Sequence, residues 1–122
     1  MFSAFSPIRL FHSFRYAFRG MRYVAVTQSN MHVHLVAALL VVFVGLYIGL
    51  SNAEWGLLGL TISAVWAAET FNTAIELLTD MVSPQFDEQA GRVKDVSAAA
   101  VSMTALGAVA VAVAVFAPKI FF

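Results

Sequence analysis

Three long apolar runs, separated by short polar stretches, dominate the chain. Residues 35–50 carry no charge, a second run extends from Trp55 to about Leu78, and a third from Val96 to Ala117. About 20 helical residues at 1.5 Å each cross a hydrocarbon core of ~30 Å. The pattern therefore predicts transmembrane helices over about 31–50, 55–80 and 95–117. Ahead of them, Phe11, Phe14, Phe18 and Met21 recur at steps of three and four, while Arg15, Arg19 and Arg22 follow the same spacing on another side. This predicts an amphipathic helix over about 8–27 lying in the membrane interface, started by Pro7. A polybasic arm that only binds anionic lipid explains the arginines equally well. Ser51-Asn52-Ala53-Glu54 reads as a tight polar turn. Residues 81–95 read as a polar segment, broken by Pro84, in which Gly91 to Asp95 lead into the third run. Pro118 and Lys119 end that run. The expected fold is a single all-α integral-membrane domain of 122 residues.

Composition supports the membrane reading. The hydrophobic fraction is 61% and the charged fraction 11%, against roughly 45–50% and about 25% in soluble domains. Formal net charge is zero and favours no partner, and the absence of cysteine excludes disulfides and thiolate metal sites. No secretory signal pattern is read at the start. Arg9, Arg15, Arg19 and Arg22 lie in the arm, Arg92 and Lys94 in the 81–95 segment, none in the 51–54 turn, and only Lys119 near the end. The positive-inside rule then puts the arm and the second loop in the cytoplasm. Nothing in the chain suggests nucleic acid; the phenylalanine stripe reads as lipid-facing.

The second run is interrupted by carboxylates. Glu69, Asn72, Glu76 and Asp80 fall at steps of three, seven and eleven from Glu69, so they share one side of a helix. Ionisable groups in a membrane helix are costly and point to function. Glu69 lies 14 residues beyond Trp55, roughly 21 Å below the outer turn, and the stripe emerges toward the cytosol at Glu76 and Asp80. Glu76 and Asp80 are reachable by a hydrated Mg²⁺, which takes one or two carboxylates plus phosphate oxygens. Glu69, in lower dielectric beside Asn72, suits a general base for a hydroxyl. Lys94, expected at the N-terminus of the third helix with its free N–H groups, suits phosphate. Metal, phosphate cation and base are the parts of a phosphoryl-transfer site; no G-x-x-x-x-G-K-[ST] occurs, so it is not of the P-loop kind. The stripe could instead glue helices or relay protons in a non-enzymatic subunit. Lys94-Asp95 beside a cytosolic acidic cluster is what such a relay would not need. His32 and His34, two residues apart, point to different sides of a helix and make a poor metal pair. Ala98, Ala99, Ser102, Ala105 and Ala108 offer a close-packing face for self-association.

E-x-x-N-T-A-I-E with its trailing acid (Glu69, Asn72 to Glu76, Asp80) and K-D-x-x-A-x-A-V (Lys94, Asp95, Ala98, Ala100, Val101) resemble the prokaryotic diacylglycerol kinase family, which includes undecaprenol kinases. R-Y-A-F-x-G-x-R (Arg15 to Arg22) and N-x-x-x-H (Asn30, His34) extend the match over nearly the whole chain. The resemblance implies a homotrimer in the bacterial inner membrane, a surface helix and three spanning helices per chain, and sites shared between chains. It implies phosphorylation of a membrane lipid alcohol by ATP and Mg²⁺. By position, Glu69 would be the base with Asn72 beside it, and Glu76 a metal ligand. Arg9, Tyr16, Gln85, Asp87, Lys94 and Asp95 would line the nucleotide site. Arg9, Arg22, Asn30, His34 and Glu69 would meet the lipid. Gln28 stands where the family has a second metal-binding Glu: either its amide oxygen ligates the metal, or Asp80 or Asp87 substitutes. N-T-A-I-E and the Asn30–His34 pair look more like undecaprenol kinases than diacylglycerol kinases, where Ser and Glu are expected at positions 73 and 34.

Overall fold

A computed structural model describes residues 5–122, which form four helices and no strand: α1 (Pro7–Thr27), α2 (Ser29–Ile48), α3 (Asn52–Val82) and α4 (Glu88–Phe121). Pro7 occupies the first turn of α1, where its missing N–H costs nothing. A single extended residue, Gln28 (φ −101°, ψ 115°), separates α1 from α2. His32 Nε2 reaches back across that break to donate to the Ala25 carbonyl at 2.6 Å. α2 ends at Gly49, whose φ of +86° is left-handed backbone that a side chain would oppose. Ser51 and Glu54 then form a reciprocal capping box that starts α3.

Helix boundaries depart from the expected ones in three places. The outer turn is shorter than 51–54, because the capping box lets Asn52 begin α3. The polar segment 81–95 is almost entirely helical. α3 runs to Val82, only residues 83–87 are non-helical, and Asp87 caps α4 by accepting from Ala90 N at 2.9 Å. Lys94 and Asp95 therefore sit in the second turn of α4 and do not open it. The free N–H groups lie a turn or more away, which removes the expected phosphate cradle under Lys94. Finally, α4 continues through Pro118 to Phe121. Pro118 forgoes the hydrogen bond to the Ala114 carbonyl, and Lys119 beyond it pairs with Glu54 at 3.2 Å.

The helices α2 and α4 are each long and apolar enough to cross a bilayer. α3, with 31 residues, is about 46 Å long, but its polar residues lower its hydropathy. Apolar side chains face outward: Leu39, Leu46, Leu60 and Leu106 are each at least 70% exposed, whereas the largest fully buried side chains are Glu69 and Thr73. Such an inverted distribution fits lipid as the surrounding solvent.

α3 and α4 form the best-packed pair, antiparallel and tied at both ends. Lys94 Nζ donates to Asp80 Oδ1 at one end, and Lys119 meets Glu54 at the other. Hydrogen bonding to Ser51 holds the Glu54 carboxyl below its usual range, and Lys119 adds to this. α2 approaches α3 where Gly45 lies under the ring of Trp55. A Cβ at Gly45 would come 2.8 Å from both Trp55 Cη2 and Leu50 Cδ1. Gly45→Ala is expected to destabilise the protein by about 1–3 kcal/mol, as overpacking typically does. Thermal unfolding in detergent, followed by tryptophan fluorescence, measures it; an unchanged midpoint would mean that Trp55 swings away freely.

Candidate active site

The polar stripe of α3 is a gradient of burial. Glu69 is 1% exposed and Thr73 2%, Asn72 is nearly as buried, Glu76 is half-buried and Asp80 is exposed. The 3.6-residue repeat turns this stripe toward α4, whose Lys94, Ser97 and Val101 recur at three and four on the opposing face. Hydroxyls along α3 bond to carbonyls one turn back, Thr73 Oγ1 to Glu69 O at 2.9 Å and Thr79 Oγ1 to Ile75 O at 2.7 Å, so they stay out of the chemistry.

Asn72 Nδ2 donates to Glu76 Oε1 at 3.1 Å, which fixes the amide and directs Oδ1 elsewhere. That oxygen, Glu69 Oε2 and Ser97 Oγ are buried without a hydrogen-bond partner. Each such group costs about 1–3 kcal/mol. Three in two facing helical turns mark a place built to receive polar atoms from outside the chain. Glu69 Oε2 lies 3.7 Å from His34 Nε2 on α2, beyond hydrogen-bond length. Asn72 and Ser97 line one cavity of about 620 Å³ between α3 and α4, with Gln89 and Arg92 toward its polar end.

Lys94 is committed to Asp80. The hydrogen bond it donates to Asp80 pushes the Lys94 ammonium up from its ordinary value; burial opposes this, and the charges of Asp80 and Glu76 add to it. Lys94 is thus a permanent cation next to Glu76, and Asp80 is occupied as its counter-ion, which weakens the expectation that Asp80 stands in as a metal ligand. Asp87 is engaged as the α4 cap through Oδ1. Among the described residues no three His, Cys, Asp or Glu side chains converge on a metal position.

The remaining expected residues are spread over α1, the α1–α2 break and the loop. Tyr16 is exposed, stacked near His12 with the Arg19 guanidinium 5.8 Å from its ring centroid. Arg9 lies two turns before Tyr16 on the same side of α1, and Arg22 and Asn30 are exposed. Gln28 Nε2 donates to Thr27 Oγ1 at 3.0 Å, not to Glu76. Gln85 offers its carbonyl to Ser83 Oγ at 3.2 Å, and Asp95 is exposed on α4. Within one chain the structure thus gathers Glu69 with His34, Asn72 with Glu76, and Lys94 with Asp80. Ser97 is the member that the sequence pattern did not single out. Its signal was a hydroxyl three residues beyond Lys94, on the same side of the helix.

Residues 15–116 match the model of the prokaryotic diacylglycerol kinase family. The chain is 34% identical over 112 residues to a Bacillus subtilis protein named undecaprenol kinase, covering 92% of this chain and 91% of that one. It is 35% identical over 100 residues to a diacylglycerol kinase of Synechocystis, covering 81% and 57% respectively. It is also 28% identical over 101 residues to the diacylglycerol kinase of Escherichia coli K12, covering 83% of each. An inverted helical bundle with a buried carboxylate, and a match that includes both helices carrying it, agree: the chain belongs to the prokaryotic diacylglycerol kinase family, a family of membrane lipid kinases.

Proposed function

We propose that the protein transfers the γ-phosphoryl group of ATP to the hydroxyl of a membrane polyprenol of the undecaprenol type. The observation that carries this reading is Glu69, a carboxylate 1% exposed whose Oε2 has no hydrogen-bond partner. A base so placed accepts the proton of a lipid hydroxyl as its oxygen attacks the terminal phosphorus. His34, 3.7 Å away, flanks the incoming hydroxyl. Asn72 holds Glu76 in place, and Lys94 balances the charge of the nucleotide phosphates, exchanging Asp80 for them. Arg9, Tyr16, Gln85, Asp87 and Asp95 line the nucleotide in this reading, as the family resemblance implies. Arg22 and Asn30 lie toward the lipid head. The relative named undecaprenol kinase, matched over nine-tenths of both chains, supports the polyprenol, as do Thr73 and His34. The relatives named diacylglycerol kinases favour diacylglycerol as the second reading.

Mg²⁺ fits the donor set. Such an ion needs only one or two carboxylates plus phosphate oxygens, and Glu76, half-buried and fixed by Asn72, is the carboxylate to supply. Bound there, such an ion would supply positive charge to offset that of the nucleotide phosphates. Gln28 is the second, neutral ligand in this reading. Gln28→Glu is then expected to lower the Mg²⁺ concentration for half-maximal activity, because a carboxylate binds a hard cation better than an amide does. The apparent affinity for lipid should stay unchanged. A Mg²⁺ titration that does not move would place Gln28 at the α1–α2 break only.

The basic residues put α1 and the 83–87 loop on the cytoplasmic side of a bacterial inner membrane, with α2, α3 and α4 spanning it. Light packing of α1 and α2 on the α3–α4 pair suits a homotrimer in which neighbouring chains complete each site. The deciding experiment incubates purified protein with labelled ATP, Mg²⁺ and either undecaprenol or diacylglycerol. Label in undecaprenyl phosphate is expected; label in phosphatidic acid alone overturns the polyprenol, and label in neither lipid overturns the kinase reading.

A further inference from the structure

Each phosphoryl transfer to an alcohol releases one proton, and the fold hides the group that takes it. The O–H bond of the alcohol breaks and its oxygen bonds to the terminal phosphorus. The bond from that phosphorus to the bridging oxygen breaks, and its electron pair leaves with ADP. The proton stays on the Glu69 carboxyl. That carboxyl is 1% exposed, so it cannot hand the proton to bulk water, and while protonated it cannot act as a base again. The proton acceptor within reach is His34, whose Nε2 stands 3.7 Å from Glu69 Oε2, the oxygen without a hydrogen-bond partner. An ordinary hydrogen bond is about 2.7–3.2 Å long, and a small side-chain rotation closes the difference. The charged groups nearby are engaged elsewhere. Glu76, two turns along α3, accepts from Asn72, and Lys94 of α4 donates to Asp80. Ser97 and Val101, on the α4 face turned to the stripe, are uncharged.

An imidazole takes a proton at one ring nitrogen and gives one up at the other. The His34 side chain is 18% exposed against 1% for Glu69, and it lies in the second turn of α2. Asn30, one turn nearer the α1–α2 break on the same side of that helix, is exposed. Glu69, His34 and Asn30 thus form a series of rising exposure that ends near the break. Resting on the kinase reading above, we propose that His34 is the exit for the substrate's proton: Glu69 passes it to Nε2 after each transfer, and the imidazole releases one from Nδ1 toward Asn30 and water. His34 then sets how soon the base is ready again, and not how fast it acts.

Two measurements on the full-length protein test this. In the first, wild type and His34→Gln, loaded with undecaprenol in detergent, are mixed rapidly with labelled ATP and Mg²⁺. The variant should complete its first turnover within about twofold of the wild-type rate, then run about tenfold slower or worse, since only recovery of the base is lost. Adding 4-methylimidazole to His34→Ala should restore most of the steady-state rate. Thiazole, a ring of similar shape that takes no proton at neutral pH, should restore none. Equal slowing of first and later turnovers, an unchanged steady state, or rescue by both rings would make His34 a residue that packs or places the lipid, and would overturn the exit. In the second, the ring ¹⁵N signals of His34 are titrated in wild type and in Glu69→Gln. The two midpoints should differ by about half a pH unit or more, as for groups about 4–6 Å apart; equal midpoints overturn the contact on which the exit depends. Different midpoints in a protein that phosphorylates no lipid alcohol would instead refute the kinase reading alone.

Discussion

Glu69→Gln is expected to leave the helical content and oligomeric state unchanged and to lower the rate of lipid phosphorylation by about 10²–10⁴-fold, the range typical of a lost general base. The amide is isosteric and keeps the packing at a position 1% exposed, but it has no basic oxygen to take the hydroxyl proton. ATP binding should persist, because the carboxylate lies a turn and more from Glu76 and Lys94 along the stripe. Circular dichroism, nucleotide affinity and steady-state rates measured on the same preparation separate chemistry from folding. A rate within a few-fold of wild type would remove Glu69 from the mechanism.

Lys94→Met should act on the other substrate. A hydrogen bond to a charged group is worth about 1.5–3 kcal/mol, so the KM for ATP should rise roughly ten- to a hundredfold. The KM for the lipid should change little. The variant leaves Asp80 without its counter-ion, facing the incoming phosphates. Part of the loss is therefore repulsion, and Lys94→Met with Asp80→Asn should recover several-fold of it. If the double variant is no better than the single one, Asp80 does not share Lys94 with the nucleotide.

Local periodicity carried much of this into the sequence. The three apolar runs and the stripe of Glu69, Asn72, Glu76 and Asp80 follow from hydropathy and the 3.6-residue turn alone, and the helices observed include them. What the pattern missed lies where hydropathy stops but helix does not. Residues 88–95 are polar, so no apolar signal marks them, yet Asp87 starts α4 there and the helix simply extends beyond its apolar stretch. Pro118 was read as an end because a proline lacks the N–H that bonds the carbonyl four residues back, yet α4 forgoes that one bond and runs three residues further. Ser97 and the cavity it lines were illegible for a different reason. Both depend on how α4 is rotated against α3, a tertiary property that no single helix encodes.

The unequal packing of the four helices has a consequence for how such a chain can evolve. Glu69, Glu76 and Lys94, the proposed base, metal carboxylate and phosphate cation, all ride on the α3–α4 hairpin, which is clamped by an ion pair at each end. α2 packs lightly on that hairpin, with approaches at Gly45 and His34. Substitutions at Ala37, Ala38 or Val41 can thus reshape the face of α2 while leaving the carboxylates of α3 in register. The helix that carries His34 and the hairpin that carries the carboxylates are then separately mutable, and one can drift while the other stays fixed.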